Sequence, residues 1–147
     1  MKNLVFSIIM VLISLFTLNF ALFTYMHNRF DESEMLEIPS LGICVNCEKV
    51  MDDDILQDTI DKIGTAAWYK DYILDHAGQN FYGLWNIKAG DKVIFGTKEY
   101  RCIFQTEGWS DDGVRAKYGD LPEADLYLCT CIPGGEKYEI FIAGLRG

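Results

Sequence analysis

The residues Leu4 to Met26 carry no charge over 23 consecutive positions, and this stretch decides how the rest of the chain can be organised. As a helix it would be about 35 Å long, enough to cross a hydrocarbon layer of about 30 Å with some tilt. A cleaved signal peptide has an apolar core of about 7 to 15 residues followed by a small-x-small site. The end of this run, Phe23-Thr24-Tyr25-Met26, offers no such site. Residues 1–30 are therefore read as an uncleaved, single-pass membrane anchor. Lys2 precedes the run, whereas His27, Arg29, Asp31, Glu32 and Glu34 come after it. The slight positive bias sets the amino terminus in the cytoplasm and the remainder outside.

Residues 31–35 form a short polar stalk. Residues 36–147 are enough for one domain with its own core and too few for two. Lys2 and Arg29 are the only charged residues among the first thirty, so the rest carries 11 basic against 22 acidic side chains. A domain of that charge repels phosphate backbones, and no Lys/Arg stripe reverses it, which excludes nucleic acid as a partner. Aromatic residues make up 14% of the chain, a content that argues against disorder.

The domain reads as mostly β with two short helices. Leu36-Glu37-Ile38 alternates, Pro39 and Gly42 confine it to an edge or a first strand, and Leu41 and Ile43 resume the pattern. Asp52-Asp53-Asp54 offers N-caps for a helix with Leu56, Ile60 and Ile63 on one face and Gly64 as its stop. Three adjacent carboxylates suit a solvated helix start better than a calcium loop. Tyr72 to His76 is expected to be a strand ending at the histidine, and Phe81 to Ile87 one or two helical turns with Phe81, Leu84 and Trp85 inward. Lys92 to Phe95 and Glu99 to Gln105 form a hairpin across Gly96-Thr97-Lys98. Thr106 to Asp125 is a long polar loop. Leu126 to Cys131 and Tyr138 to Ala143 are two further strands.

Five cysteines, Cys44, Cys47, Cys102, Cys129 and Cys131, lie in what the anchor makes an oxidising setting, and their odd number leaves one thiol unpaired. Cys44-Val45-Asn46-Cys47 is a lone C-x-x-C. It follows an edge strand rather than opening a helix in a βαβ unit, so a structural disulfide or two idle thiols suits it better than a redox pair. His76 is the one histidine of the domain, and neither H-E-x-x-H nor paired C-x-x-C motifs point to a metal.

Tyr127-Leu128-Cys129-Thr130-Cys131 carries more information. In a strand Tyr127, Cys129 and Cys131 share one face, and Leu126, Leu128 and Thr130 the other. The leucines mark the core side. Cys131 then ends a strand on the face away from the main core, where a nucleophile must be exposed. A strand-end histidine beside it would carry the proton.

These residues resemble a family. Leu36-Glu37-Ile38-Pro39-Ser40-Leu41-Gly42-Ile43 resembles the first strand of the sortases, the membrane-anchored cysteine transpeptidases of Gram-positive surfaces. Asp75-His76 through Phe81, Leu84, Ile87-Lys88-Ala89-Gly90-Asp91 and Val93 is similar to the segment after their catalytic histidine. Tyr127-Leu128-Cys129-Thr130-Cys131 resembles the strand ending in their nucleophile, and Lys137 to Ala143 resembles their last strand. The match runs from Leu36 to the end, in the family's order and near its spacing.

The resemblance implies an eight-stranded sortase-like β-barrel with short helices behind one transmembrane helix, with Cys131 and His76 as catalytic pair. The substrate groove would lie beside the loop from Thr106 to Asp125, with Tyr127, Cys129 and Thr130 in contact with substrate. It calls for no cofactor or metal. Its partners would be a peptide or surface protein bearing a sorting signal, an amine acceptor such as a cell-wall precursor or a pilin-like lysine, and the membrane. One departure matters. The arginine that opens the family's last strand aligns with Tyr138, while Lys137 should face the other way and Arg146 lies about 26 Å further along an extended strand. The rival expectation is a weak or inactive relative that keeps the groove to bind peptides, and a thiol-disulfide oxidoreductase on Cys44 and Cys47 is a distant third.

Overall fold

The computed structural model describes residues 33–109, 121–135 and 139–147, together with Ser14 and Thr17. The chain divides into two units, Met1–Glu32 and Ser33–Gly147. In the first, Ser14 and Thr17 are helical, and the Thr17 hydroxyl donates to the Ser14 carbonyl at 3.0 Å. Most of the uncharged run, and with it the expected anchor, lies outside the described residues. Among those that are described, no helix is long and apolar enough to cross a membrane.

The second unit is a closed barrel of eight strands: β1 (Ser33–Ile38), β2 (Ile43–Lys49), β3 (Thr65–Tyr69), β4 (Tyr72–Leu74), β5 (Lys92–Phe95), β6 (Lys98–Trp109), β7 (Leu126–Cys131) and β8 (Glu139–Arg146). Around the barrel they run β1-β2-β3-β4-β7-β8-β6-β5. Ser33, Glu34 and Met35, read from sequence as stalk, already belong to β1 and pair with Glu48, Cys47 and Asn46 of β2. Pro39 to Gly42 makes the turn between these strands, with Gly42 at a φ of 66° that its missing Cβ permits. β5 and β6 are the expected hairpin, which runs on past Gln105 to Trp109.

Alternation along the strands fills the barrel. Leu36, Ile38, Val45, Ala66, Ile73, Val93, Leu126, Leu128, Ala143 and Leu145 form one buried cluster, joined by Phe81, Leu84 and Ile87 from the segment after β4. That segment has its 3₁₀ turn at Leu84–Asn86. Phe81 and Leu84 are fully inward, and Trp85 packs against the cluster at its margin.

Part of the outer face of β3, β4, β7 and β8 is covered as well. Ala67, Leu74, Cys129 and Ile142 lie in one row across these strands and form a second buried cluster with Val50, Leu56 and Ile60. The cover comes from the crossover that the parallel β2–β3 pair requires. It contains a 3₁₀ turn, Asp53–Ile55, and the helix α1, Leu56–Ile60. Five residues are too few for a helix to hold by itself. Burial of Leu56 and Ile60, at about 1.5 to 3 kcal/mol each, fastens it to the sheet. Ile63, expected on the same apolar face, lies beyond the end of α1 and is 93% exposed.

Candidate active site

Parallel pairing of β4 with β7 builds the site. Its register sets Tyr72, Ile73 and Leu74 beside Tyr127, Leu128 and Cys129, and two more residues on each strand bring His76 level with Cys131. The ladder continues past the end of β4, since the Asp75 N–H donates to the Cys129 carbonyl at 3.2 Å. His76 is thus two residues beyond its strand rather than its last member, and its Nδ1 lies 3.4 Å from Cys131 Sγ. Cys131 is exposed at the end of β7, and the His76 side chain is 35% exposed.

The segment carrying the histidine is tied from below. Asp75 is 3% exposed; its carboxylate accepts from the His76 N–H at 2.6 Å and from Asn80 Nδ2 at 2.5 Å. Burial raises the Asp75 pKa, against the opposing pull of these hydrogen bonds. Its carbonyl accepts from the Thr130 hydroxyl at 2.8 Å. The end of β7 and the histidine segment are therefore fixed to each other inside the protein, one residue before Cys131 and one before His76.

On the far side of the imidazole, Nε2 lies 2.8 Å from Asp61 Oδ1, at the carboxyl end of α1. Cys131, His76 and Asp61 form a continuous line. Asp61 was not among the residues expected from sequence. No motif marks it, because its approach to His76 depends on how the crossover packs, 15 residues away in the chain.

A cavity of ≈350 Å³ opens beside the pair, lined by His76, Ala77, Gly78, Tyr82, Cys131 and Pro133. It touches both Cys131 and His76, and apart from these its walls are apolar or aromatic. Tyr82, 72% exposed and set edge-on against Trp85 with ring centroids 5.5 Å apart, forms its outer wall.

Of the three residues expected to contact substrate, two are buried. Cys129 is 3% exposed in the second cluster and Thr130 is 3% exposed on the Asp75 carbonyl. Tyr127 is half-buried, stacked on Tyr72 with centroids 4.9 Å apart, and its hydroxyl donates to the Pro122 carbonyl and accepts from the Ala124 N–H. The causes differ by face: the face of β7 opposite the leucines, with Tyr127 and Cys129, is covered by α1 and by the chain around Leu121, whereas Thr130, on the leucine face, is turned inside onto the Asp75 carbonyl. The face with Cys129 opens at Cys131. Tyr138 and Lys137 lie outside the described residues, as do residues 110–120 of the loop expected to border the groove.

The five thiols are free and differ in environment. Burial pushes Cys129 up to about 12, and burial with the charge of Asp75 does the same for Cys47. Cys102 is raised by burial and by Asp91. Cys44 and Cys131 are exposed. Cys44 and Cys47 are three apart in β2, so they face opposite sides of the sheet, outward and inward. That spacing keeps them from pairing as a disulfide or acting as a redox couple.

No protein-family model matches the sequence, and no curated protein sequence does either. Solved structures do match. Listeria monocytogenes sortase A is similar at a TM-score of 0.56 and 15% identity, over 78% of this chain and 86% of that one. Clostridium perfringens sortase C with the C-terminal cell wall sorting motif gives 0.52 and 20%, over 77% and 69%. A sortase E from Streptomyces coelicolor with a tripeptide in the active site gives 0.52 and 17%, over 78% and 88%. The chain has the eight-stranded barrel fold of the sortases.

Proposed function

We propose that the chain is a membrane-anchored, sortase-like cysteine transpeptidase acting outside the cytoplasmic membrane. The observation that carries this reading is His76 Nδ1 at 3.4 Å from the exposed sulfur of Cys131, at the end of a strand in a sortase barrel. The Cys131 thiolate attacks a peptide carbonyl of a sorting signal; the C–N bond breaks, and the imidazolium of His76 gives its proton to the departing amine. An incoming amine then loses a proton to His76, attacks the thioester and releases the thiolate. The acceptor is an amine of a cell-wall precursor or a pilin-like lysine. The peptides held by the Clostridium perfringens and Streptomyces coelicolor structures support a peptide substrate.

In this reading Tyr138 stands where the family has arginine and gives the developing oxyanion one neutral hydrogen bond. The run from Leu4 to Met26 holds the enzyme in the membrane with the barrel outside. Mass spectrometry of the full chain with a panel of sorting-signal peptides tests the chemistry. An acyl adduct on Cys131, absent from Cys131→Ala and discharged to an amide by an added amine, is the expected result. Peptide binding with no adduct would replace this reading with that of a binding protein.

A further inference from the structure

Asp61 stands at the carboxyl end of α1, where free helix carbonyls disfavour a negative charge. The carboxylate is nevertheless held there. Gln57, one turn earlier, donates to Asp61 Oδ1 at 2.9 Å, and the Asp61 N–H closes the turn on the Gln57 carbonyl at 3.0 Å. The same Oδ1 meets His76 Nε2 at 2.8 Å. Leu56 and Ile60 lock α1 to the outer row that includes Cys129, so the helix fixes the carboxylate relative to the strand that carries Cys131. A local choice that costs helix stability and meets an imidazole is what a functional position produces.

We propose that Asp61 is a positioning residue, which holds the imidazole with Nε2–H on its carboxylate and Nδ1 on the Cys131 thiol and favours the protonated ring. The inference rests on Cys131 and His76 being the catalytic pair. A ring nitrogen's role is set by the partner of the other nitrogen. With Nε2–H given to Asp61, Nδ1 is free to take the proton of Cys131, and the resulting imidazolium lies between thiolate and carboxylate.

Burial of His76 lowers its pKa, but hydrogen bonds and charge from Cys131 and Asp61 outweigh this and leave it raised. His76 first, then Gln57, lower that of Asp61. A raised histidine stabilises the fold below its unfolded value, and that contribution is lost as pH rises through the folded one. A lowered carboxylate stabilises above its unfolded value, and that is lost as pH falls through the folded one. The pair therefore acts between the carboxylate and imidazole ranges. The titratable groups facing His76 among the described residues are Cys131 from β7, Asp61 from α1, Asp75 on its own segment and Tyr82 across the cavity.

The full chain in detergent micelles, with labelled histidine, gives two imidazole signals, from His27 and His76, and a His27→Gln variant assigns them. Asp61→Asn keeps the size and an acceptor but removes the charge. It is expected to lower the His76 titration midpoint and to slow alkylation of Cys131 at about pH 6 by about 2- to 5-fold, the range that exposed ion pairs support. Asp61→Ser should do the same and Asp61→Glu should restore part of both, with thermal unfolding confirming that each variant is folded. An unchanged His76 midpoint in folded Asp61→Asn and Asp61→Ser would overturn the proposal. A lowered midpoint in a protein whose wild type forms no acyl adduct would uphold the hold of Asp61 on His76 and remove the transpeptidase reading instead.

Discussion

Thr130 Oγ1 donates to the carbonyl of Asp75 at 2.8 Å, joining the residue before the candidate nucleophile to the residue before the candidate base. Both residues are 3% exposed. The hydroxyl works inside the protein, not in the substrate groove. Its bond, the Asp75 N–H to the Cys129 carbonyl and the Asp75 carboxylate on the His76 N–H together set the spacing of Cys131 and His76.

Thr130→Val preserves shape and removes the donor, leaving a buried carbonyl without that partner at a cost of about 1 to 3 kcal/mol. Thr130→Ser should keep most of the stability. The Val variant is expected to lose stability in chemical denaturation and to acylate more slowly at saturating peptide, because the histidine segment is no longer pinned. Unchanged stability and rate in Thr130→Val would remove this residue from the account.

The strand that ends in Cys131, the hairpin of β5 and β6, and the inward Phe81 and Leu84 were legible because alternation and turn residues are local signals. The parallel β4–β7 register was not, since nothing between Leu74 and Leu126 states that these strands will be neighbours. That register is what brings His76 to Cys131. The sequence also shows leucines on one face of β7 without showing that α1 covers Cys129 on the other, or that the Thr130 hydroxyl on the leucine side is taken by the Asp75 carbonyl. Asp61 was hidden for the same reason. Its role is set by where a five-residue helix docks.

The environments of the five thiols predict an order of labelling. Cys131 should react with an alkylating reagent ahead of Cys47, Cys102 and Cys129, which burial disfavours as thiolates. Cys44 is also exposed but lies beside Met35, 3.6 Å from its sulfur, with no hydrogen-bonded histidine. Cys131→Ala should abolish turnover, whereas Cys129→Ala should lower stability and leave the chemistry. Peptide mapping after brief labelling checks the order, and equal loss of turnover in both variants would show that Cys129 does more than pack.

By the sequence resemblance Tyr138 is expected at the position of the family arginine, and a phenol can donate a hydrogen bond but no charge. If it serves the oxyanion, Tyr138→Phe should reduce the acylation rate by about 10²- to 10³-fold, the usual effect of losing one such donor. Tyr138→Arg should raise that rate. Single-turnover acylation of both variants, compared with their unfolding curves, separates this from a packing role, in which Phe is silent and Arg destabilises.

Tyr82 offers the cleanest separation of binding from folding. It is 72% exposed, so its loss removes little buried surface, and surface changes of this kind stay within about 0.5 kcal/mol. Yet its ring is the outer wall of the ≈350 Å³ cavity that also contacts His76 and Cys131. If the proposed transpeptidation holds, a cavity that touches His76 as well as the Cys131 sulfur suits the side of the scissile bond from which the amine departs and to which the next amine comes. Tyr82→Ala should therefore weaken saturation by the amine acceptor more than by the sorting-signal peptide, with thermal stability unchanged. Phe at this position should retain most of the wall. Measured apparent KM values for each substrate in turn decide the matter, and an effect confined to the peptide would place the cavity on the acyl side of Cys131.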